Sequence, residues 1–264
     1  MDDAQCLDTD PKTGVRSSSE VASQGARALY RLREMLIRGE FTPGERMSEL
    51  VLVSRLSMSR TPIRLALERL AHMGLLESNA SGGFVVRGFT ISEAYDAIEV
   101  RGILEGTAAR LAAERLTSLV EIAPLTDLCC EMEMLQQLTV DSFPRYMDLN
   151  ESLHTAILTL AKSDMLRRAL EHAGSLPFAS PSAMVFPTSG LPVAAEALAV
   201  AREHHRAIVE SIAARQGTRA ESLAREHARV GQRVLGMAVR DADAMRRVPG
   251  ASLINVSGAL RAEW

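Results

Sequence analysis

The chain has 264 residues, of which 47% are hydrophobic, 24% charged and 4% aromatic, an ordinary composition for a soluble protein that buries a core. Its apolar runs are shorter than the roughly 20 residues that a membrane helix needs. Three cysteines, two of them adjacent, exclude a disulfide framework and a spaced metal knuckle. The acidic N-terminus lacks the apolar core of a secretory signal, so we expect a cytoplasmic protein without membrane contact.

Net charge is −3 for the whole chain, but it differs between parts of the chain. Residues 20–88 contain ten arginines against seven glutamates, whereas residues 1–19 and 89–264 are acidic. A basic domain beside an acidic one is typical of a nucleic-acid-binding protein with a separate regulatory domain. A small excess of arginine also arises by chance. Ala, Leu, Arg and Glu dominate the composition. Because these residues favour helices, we predict a mainly α protein.

The first part of the chain predicts a winged helix-turn-helix over residues 20–88. Residues 1–19 lack periodicity and are predicted to be a disordered tail. Ser57 and Met58 form a tight turn between two short helices, and a glycine-rich turn separates two strands. The predicted elements are three helices and then two strands, over residues 21–38, 48–56, 59–73, 75–78 and 84–87. Helices followed by a hairpin in this order are typical of the winged helix-turn-helix.

The second part predicts an all-helical bundle over residues 89–240. Apolar residues recur there with the helical period, and the predicted helices cover about 92–116, 118–138, 142–161, 164–175, 193–215 and 218–240. The segment 176–192 is rich in Pro, Ser and Ala and predicts a loop, which at this length is often functional, for example as a lid over a pocket. The tail 241–264 has weak periodicity, and the sequence assigns it no role.

The start of the third predicted helix suits the major groove of DNA. Arg60 and Arg64 lie four residues apart and so on one helical face, and an arginine can form two hydrogen bonds with guanine O6 and N7. The hydroxyls of Ser59 and Thr61 suit phosphates or base edges, and the free N–H groups of a helix N-terminus favour phosphate. The alternative is a surface helix with solvated arginines. The order of the surrounding elements favours the DNA-reading interpretation.

Two motifs in this region resemble those of GntR-type repressors. They are the segments 41–49 and 59–64, followed at the spacing of that family by Ala66-Leu67, Arg69-Leu70 and Gly74-Leu75. The resemblance implies that Arg60, Thr61 and Arg64 contact DNA, and we expect Arg46 and Ser59 to contact it as well. It also implies that Gly82 and Gly83 lie in the wing at the minor groove. Ser57 stands where the family usually has Gly, which could alter the turn, and Leu65 stands where it often has Glu.

Three histidines of the helical region project together with apolar residues, toward the interior of a bundle. Asn150 and His154 are four residues apart and share one helical face, while His205 and His227 lie on two later predicted helices. Helical bundles usually hold metal ions with side chains contributed by several helices. Spacing alone does not show that these side chains converge, and a histidine on an apolar face is more often a hydrogen-bonded core residue.

The same region is similar to the FCD ligand-binding domain of the FadR subfamily. The similarity rests on the segments 101–105, 150–154 and 205–209, with His227 following 22 residues after His205. It implies that Asn150, His154, His205 and His227 hold a divalent metal ion, with zinc or nickel as the expected metals. It further implies that a bound carboxylate completes the coordination. We therefore expect a small organic carboxylate effector, with aromatic acids among the candidates, and a homodimer on a double-stranded DNA operator.

Asn150 departs from the resembled family, which commonly has Asp there. An amide oxygen donates less to a metal than a carboxylate does, and neutral histidines add no negative charge. We therefore expect weaker metal retention and a stronger attraction of an anionic effector. Arg101, on the first helix of this domain, could bind a carboxylate of the effector with two hydrogen bonds. The alternative for Arg101 is an ion pair with Glu105, four residues later on the same helix.

The sequence thus predicts a ligand-responsive transcription regulator, with repression favoured over activation, and not an enzyme. One alternative is a DNA-binding protein whose helical domain only dimerises and binds no effector. The other is a metal-dependent hydrolase, since three histidines and an open position also describe catalytic zinc. The absence of a carboxylate placed by motif as general base argues against the hydrolase.

Overall fold

The structure of the protein is a computed structural model that describes residues 18–79, 82–135, 139, 141–180 and 192–255. Most of these residues are helical and the strands are short, which confirms the predicted mainly α fold. Parts of three predicted segments lie outside the described residues: nearly all of the disordered tail, most of the 176–192 loop and the last nine residues of the chain. None of the described helices combines the length and the apolarity needed to cross a membrane.

The N-terminal domain consists of three helices and a three-stranded antiparallel sheet. Its elements in chain order are α1 (Ser18–Ile37), β1 (Arg46–Met47), α2 (Glu49–Leu56), α3 (Arg60–His72), β2 (Leu76–Ser78) and β3 (Phe84–Val86). The strand order is β1-β3-β2, with Met47 opposite Phe84 and Leu76 opposite Val86. This is the predicted winged helix-turn-helix, with β1 as an additional strand that is too short to show an alternating pattern in the sequence.

Helix α3 is fixed in place by its apolar face. Ile63, Leu67 and Leu70 recur at the spacing of successive helical turns and are fully buried. They share one core with Leu32 and Leu36 of α1, which is the helix that α3 packs against most extensively. Each such burial stabilises the fold by about 1.5–3 kcal/mol. The opposite face of α3 is therefore presented to solvent in a defined orientation.

Helix α4 (Ile91–Arg115) runs through the second domain. It begins with a capping box, in which the Thr90 hydroxyl accepts from the Glu93 backbone N–H and the Glu93 carboxylate accepts from the Thr90 N–H. It packs against most of the other helices of the domain, which are α5 (Ala123–Met134), α6 (Phe143–Leu160), α7 (Asp164–Ala173), α8 (Pro192–Ala213) and α9 (Gly217–Ala238). The longest of these packings is with α9. The domain is the predicted all-helical bundle.

Two glycines allow α4 and α9 to approach each other closely. A Cβ atom at Gly102 would lie 2.7 Å from the Cβ of Ala228, and one at Gly106 would lie 3.0 Å from the backbone oxygen of Glu221. Carbon atoms in contact are normally about 3.5–4.0 Å apart, so only glycine fits at these positions without a shift. The two glycines thus set the separation between the helices that carry Arg101 and His227.

The segment after α9 returns to the N-terminal domain. It contains the short helix α10 (Ala242–Met245) and strand β5 (Ile254–Asn255), which pairs in parallel with β4 (Phe89–Thr90). Val248 and Leu253 are buried in the same core as Phe89. The sequence assigned no role to residues 241–264, and their described part closes the core at the junction of the two domains.

The structure differs from the sequence prediction at one helix in particular. The predicted helix over 118–138 is divided into a 3₁₀ turn over Leu119–Ile122 and the helix α5, which ends at Met134. Ser118 and Glu121 form a capping box on the 3₁₀ turn, and Pro124 lies in the first turn of α5. Both are signals of a helix start, which explains the new beginning.

Candidate DNA-reading surface and metal site

The start of α3 carries the residues that the sequence selects for DNA reading. Ser59 occupies the N-cap position, although its hydroxyl makes no capping hydrogen bond. Arg60, Thr61 and Arg64 are all exposed. Ile63 on the same turn is buried and anchors this end of the helix in the core. The surface offers hydroxyl and guanidinium donors at a helix N-terminus, a combination that favours phosphates and guanine edges.

Both arginines of this surface are paired with nearby carboxylates. Arg60 Nε lies 3.6 Å from an oxygen of Glu49 on α2, and its side chain is 64% exposed. Arg64 Nε donates to Glu68 over 3.2 Å, and its side chain is 66% exposed. Ion pairs this exposed contribute between about 0 and 1 kcal/mol, so exchange of either carboxylate for a phosphate or a base costs little.

The turn between α2 and α3 has a left-handed residue that is not glycine. Ser57 has φ 52° and ψ 41°, and its backbone N–H donates to the Val53 carbonyl. Non-glycine residues in this conformation cost roughly 1–2 kcal/mol because Cβ crowds the neighbouring carbonyl oxygen. Ser57 therefore adopts the left-handed turn conformation in place of the Gly that GntR-type sequences usually have, and this lowers the stability of the fold.

The other predicted DNA-contacting residues lie on the wing. Gly82 and Gly83 both have positive φ, at 77° and 119°, in the turn between β2 and β3. Arg46 lies opposite Val85 in the sheet, and its Nη2 donates to the Gly82 carbonyl over 3.1 Å. The structure thus brings Arg46 together with the two glycines, on an element separate from the start of α3.

The three histidines of the helical domain converge, although they come from three different helices. His154 lies on α6, His205 on α8 and His227 on α9, and one ring nitrogen of each falls within 4.8 Å of those of the other two. The Nε2 atoms of His205 and His227 are 3.1 Å apart. The ring centroid of His154 lies 5.7 Å from that of His205 and 5.2 Å from that of His227.

The cluster lines a cavity of about 240 Å³. Burial lowers the pKa of His205 to about 3, and the nearby His154 lowers it further. The pKa of His227 is also lowered, mainly by burial and to a lesser degree by the neighbouring His205. Both imidazoles are therefore neutral at neutral pH, and neutral imidazole is the form that binds metal ions. Most of the remaining wall is apolar and includes Ala108, Ile157, Leu158 and Ile208.

A charged pair on α4 contacts this cluster. Arg101 Nη1 lies 3.1 Å from each carboxylate oxygen of Glu105, and both residues are buried. Glu105 Oε1 also lies 3.1 Å from His154 Nδ1. Burial would raise the pKa of Glu105, but Arg101 and then His154 outweigh it and lower this pKa to about 2. The ion pair weighed as the alternative for Arg101 is thus present, and Glu105 is a site residue that sequence reasoning missed.

The residues present fit a divalent metal ion. A nitrogen ligand lies about 2.0–2.1 Å from zinc, which places two such nitrogens about 2.9–3.4 Å apart in octahedral or tetrahedral geometry. The 3.1 Å between the Nε2 atoms of His205 and His227 falls in this range. His154 Nε2 is buried and hydrogen-bonds to none of the described residues. Asn150 lies one turn before His154 on α6 and is only 1% exposed, so it faces the interior as well.

Three further histidines lie outside this cluster. His204 is next to His205 on α8 and is half-buried, with its ring 6.1 Å from that of His227. His72 on α3 and His172 on α7 are exposed, and their rings are 5.9 Å apart across the junction of the two domains.

A winged helix-turn-helix joined to a helical domain with a buried histidine cluster defines a class of two-domain regulatory proteins. Residues 25–86 match the family of bacterial regulatory proteins named gntR, and residues 96–230 match the FCD domain. The chain therefore belongs to the GntR family of regulators that carry an FCD domain, as the sequence motifs predicted.

Individual relatives are regulators too. The Nta operon transcriptional regulator of Aminobacter aminovorans is 34% identical over 136 residues, which are 52% of this chain and 63%, less than two thirds, of that protein. A probable D-xylose utilization operon transcriptional repressor of Paenarthrobacter nicotinovorans is 26% identical over 193 residues, which are 73% of this chain and 80% of that protein. These families and relatives are transcriptional regulators and not enzymes, as predicted.

The fold also matches a solved structure. The E. coli protein McbR/YncC is 19% identical, with a TM-score of 0.55, and the match covers 81% of this chain and 96% of that one. At this level of identity the likeness concerns the fold alone.

Proposed function

We propose that this protein is a transcriptional repressor that binds a double-stranded DNA operator as a homodimer. In this proposal, a small carboxylate bound at a divalent metal ion in the helical domain controls operator affinity. The observation that carries the proposal is the convergence of three histidines on one cavity, in a chain that also bears a winged helix-turn-helix. The name of the repressor from Paenarthrobacter nicotinovorans supports repression over activation.

DNA reading is assigned to residues 20–88. The proposed contacts are those of the reading helix and the wing, namely Arg46, Ser59, Arg60, Thr61, Arg64, Gly82 and Gly83. Support comes from the exposure of the α3 residues and from the weak ion pairs that hold both arginines. An arginine with two hydrogen bonds to guanine contributes about 1–3 kcal/mol of discrimination.

The DNA test uses duplexes that the wild-type protein selects from a random pool. Arg60→Ala and Arg64→Ala should each bind the selected duplex about 5- to 150-fold more weakly, as loss of 1–3 kcal/mol implies, and should discriminate less against other sequences. Arg167→Ala is the matched control, because Arg167 is an exposed, ion-paired arginine of α7. Gel shifts in which both variants retain wild-type affinity and selectivity would remove the DNA-reading assignment.

Metal binding is assigned to Asn150, His154, His205 and His227, with zinc or nickel as the ion. Such an ion, when bound, supplies a Lewis-acid anchor for an anionic oxygen. Imidazole nitrogens suit both metals, and the amide of Asn150 leaves this ligand set uncharged. Arg101 provides a second contact for the effector, because its Nε is buried and makes no hydrogen bond with the described residues. The apolar wall suits the hydrocarbon part of a small aliphatic or aromatic acid.

The metal test measures metal content and thermal unfolding of protein purified without a histidine tag. Removal of the metal by a chelator should lower the unfolding temperature. Zinc added back at about 100 times its Kd should raise the free energy of unfolding by about 2.7 kcal/mol. His154→Ala should abolish the shift, whereas His72→Ala, which alters an exposed histidine of the N-terminal domain, should not. If the wild-type protein holds no metal and shows no shift with zinc or nickel, the helical domain is a structural dimerisation domain instead.

The effector test screens organic acids against the zinc-loaded protein. A carboxylate that raises the unfolding temperature should also release the selected duplex, because a ligand shifts an equilibrium only by its differential affinity for the two states. Arg101→Gln should weaken this response more than it weakens zinc binding. Acids that stabilise the protein without any change in DNA affinity would contradict the regulatory part of the proposal.

A further inference from the structure

Glu105 is a buried carboxylate whose position has a structural cost. It is only 8% exposed and lies on α4 beside the histidine cluster. Burying an ionised carboxylate costs several kcal/mol unless it is paired and hydrogen-bonded. Arg101 and His154 supply those partners, each at 3.1 Å.

The contact with His154 has a defined direction. An ionised carboxylate can only accept hydrogen bonds, so His154 Nδ1 must carry the hydrogen and donate it to Glu105 Oε1. In the neutral ring this leaves the lone pair on Nε2, the atom that hydrogen-bonds to none of the described residues. Histidine ligands of metal ions commonly donate their other N–H to a carboxylate, which fixes the tautomer and raises the basicity of the ligand.

We propose that Glu105 is a positioning residue of the metal centre, which holds His154 with Nε2 as its ligand atom. It also places beside the ligands the negative charge that Asn150 does not provide. Arg101 in turn fixes Glu105 through both carboxylate oxygens, so the orientation of His154 on α6 is set from α4. This inference rests on the proposed metal centre and adds to it a carboxylate outside the ligand set.

A purely structural role is the competing explanation, and the variants are chosen to separate the two. Glu105→Gln removes the charge but leaves Arg101 buried beside a neutral amide, which destabilises the fold. The double variant R101M/E105M removes both charges and replaces them with flexible apolar side chains, which buried pairs often tolerate. Loss of the Arg101 charge by itself favours a nearby cation, so weaker zinc binding by the double variant is attributable to Glu105.

The experiment measures zinc affinity by competition with a fluorescent chelator, and the tautomer of His154 in metal-free protein by nitrogen NMR. Both Glu105→Gln and R101M/E105M should bind zinc about 10- to 100-fold more weakly than wild type. The wild type should carry the Nδ1 hydrogen on His154, and the double variant should lose this preference. Glu114→Gln is the matched control, because Glu114 pairs with Arg110 at the same spacing on the same helix but lies on the surface.

The outcomes separate this inference from the proposed function. Wild-type protein that binds no zinc would overturn the metal centre, and the positioning role with it. Zinc binding by the wild type, with unchanged affinity and tautomer in the folded double variant, would overturn the positioning role alone. A loss of affinity in Glu114→Gln equal to that in Glu105→Gln would also contradict it, since the effect would then follow from any carboxylate on α4.

Discussion

The close packing of α4 on α9 can be tested with a single methyl group. In Gly102→Ala the new carbon would lie 2.7 Å from the Cβ of Ala228, about 1 Å nearer than carbon atoms normally pack. Both carbons are bonded directly to the helix backbones, so no side-chain rotation relieves the overlap and the helices must separate. Overpacking of this kind typically destabilises a protein by about 1–3 kcal/mol. The higher helix propensity of alanine offsets up to about 1 kcal/mol of this loss.

We therefore expect Gly102→Ala to lower the free energy of unfolding by up to about 2 kcal/mol, measured by urea denaturation with circular dichroism. Because His227 adjoins Ala228 on α9, the same variant should bind zinc more weakly. Gly25→Ala on α1 is the matched control, since a Cβ there meets nothing within 4 Å. That control should be neutral or stabilising by up to about 1 kcal/mol. Greater stability of Gly102→Ala than of the wild type would show that α4 and α9 are farther apart than described.

Two further predictions concern the turn of the helix-turn-helix and the cysteines. Ser57→Gly should stabilise the protein by roughly 1 kcal/mol, because glycine adopts positive φ without a steric cost, whereas Ser54→Gly within α2 should destabilise it by about 0.5–1 kcal/mol. If thermal unfolding ranks the two variants the other way, the left-handed conformation of the turn is wrong. Burial, with Glu133 as a lesser cause, raises the pKa of Cys129 to about 12, while Cys130 is exposed. Iodoacetamide at pH 8 should therefore modify Cys130 in native protein and spare Cys129, and peptide mapping that finds Cys129 alkylated at a similar rate would contradict its burial.

The sequence predicted the winged helix-turn-helix fold well because the signals for its elements are local. The apolar spacing of Ile63, Leu67 and Leu70 defines the buried face of α3 and leaves Arg64 outside it, while Arg60 is exposed at the first residue of the helix. Glycine turns and caps also act over a few residues, so the order of helices and strands follows from the chain itself. The pairing of β4 with β5 was not visible in this way, because each strand has two residues and they lie more than 160 positions apart.

For the histidine cluster, the sequence by itself determined which helices present histidines inward, since helical periodicity sorts each side chain onto a face. Only the tertiary structure decided that the nitrogen atoms of three such helices meet within 4.8 Å of one another, and that a carboxylate oxygen of Glu105 lies 3.1 Å from His154 Nδ1. The physical reason is that these contacts depend on how closely whole helices pack. That separation is set by pairs such as Gly102 and Ala228, which are distant along the chain and carry no periodic signal.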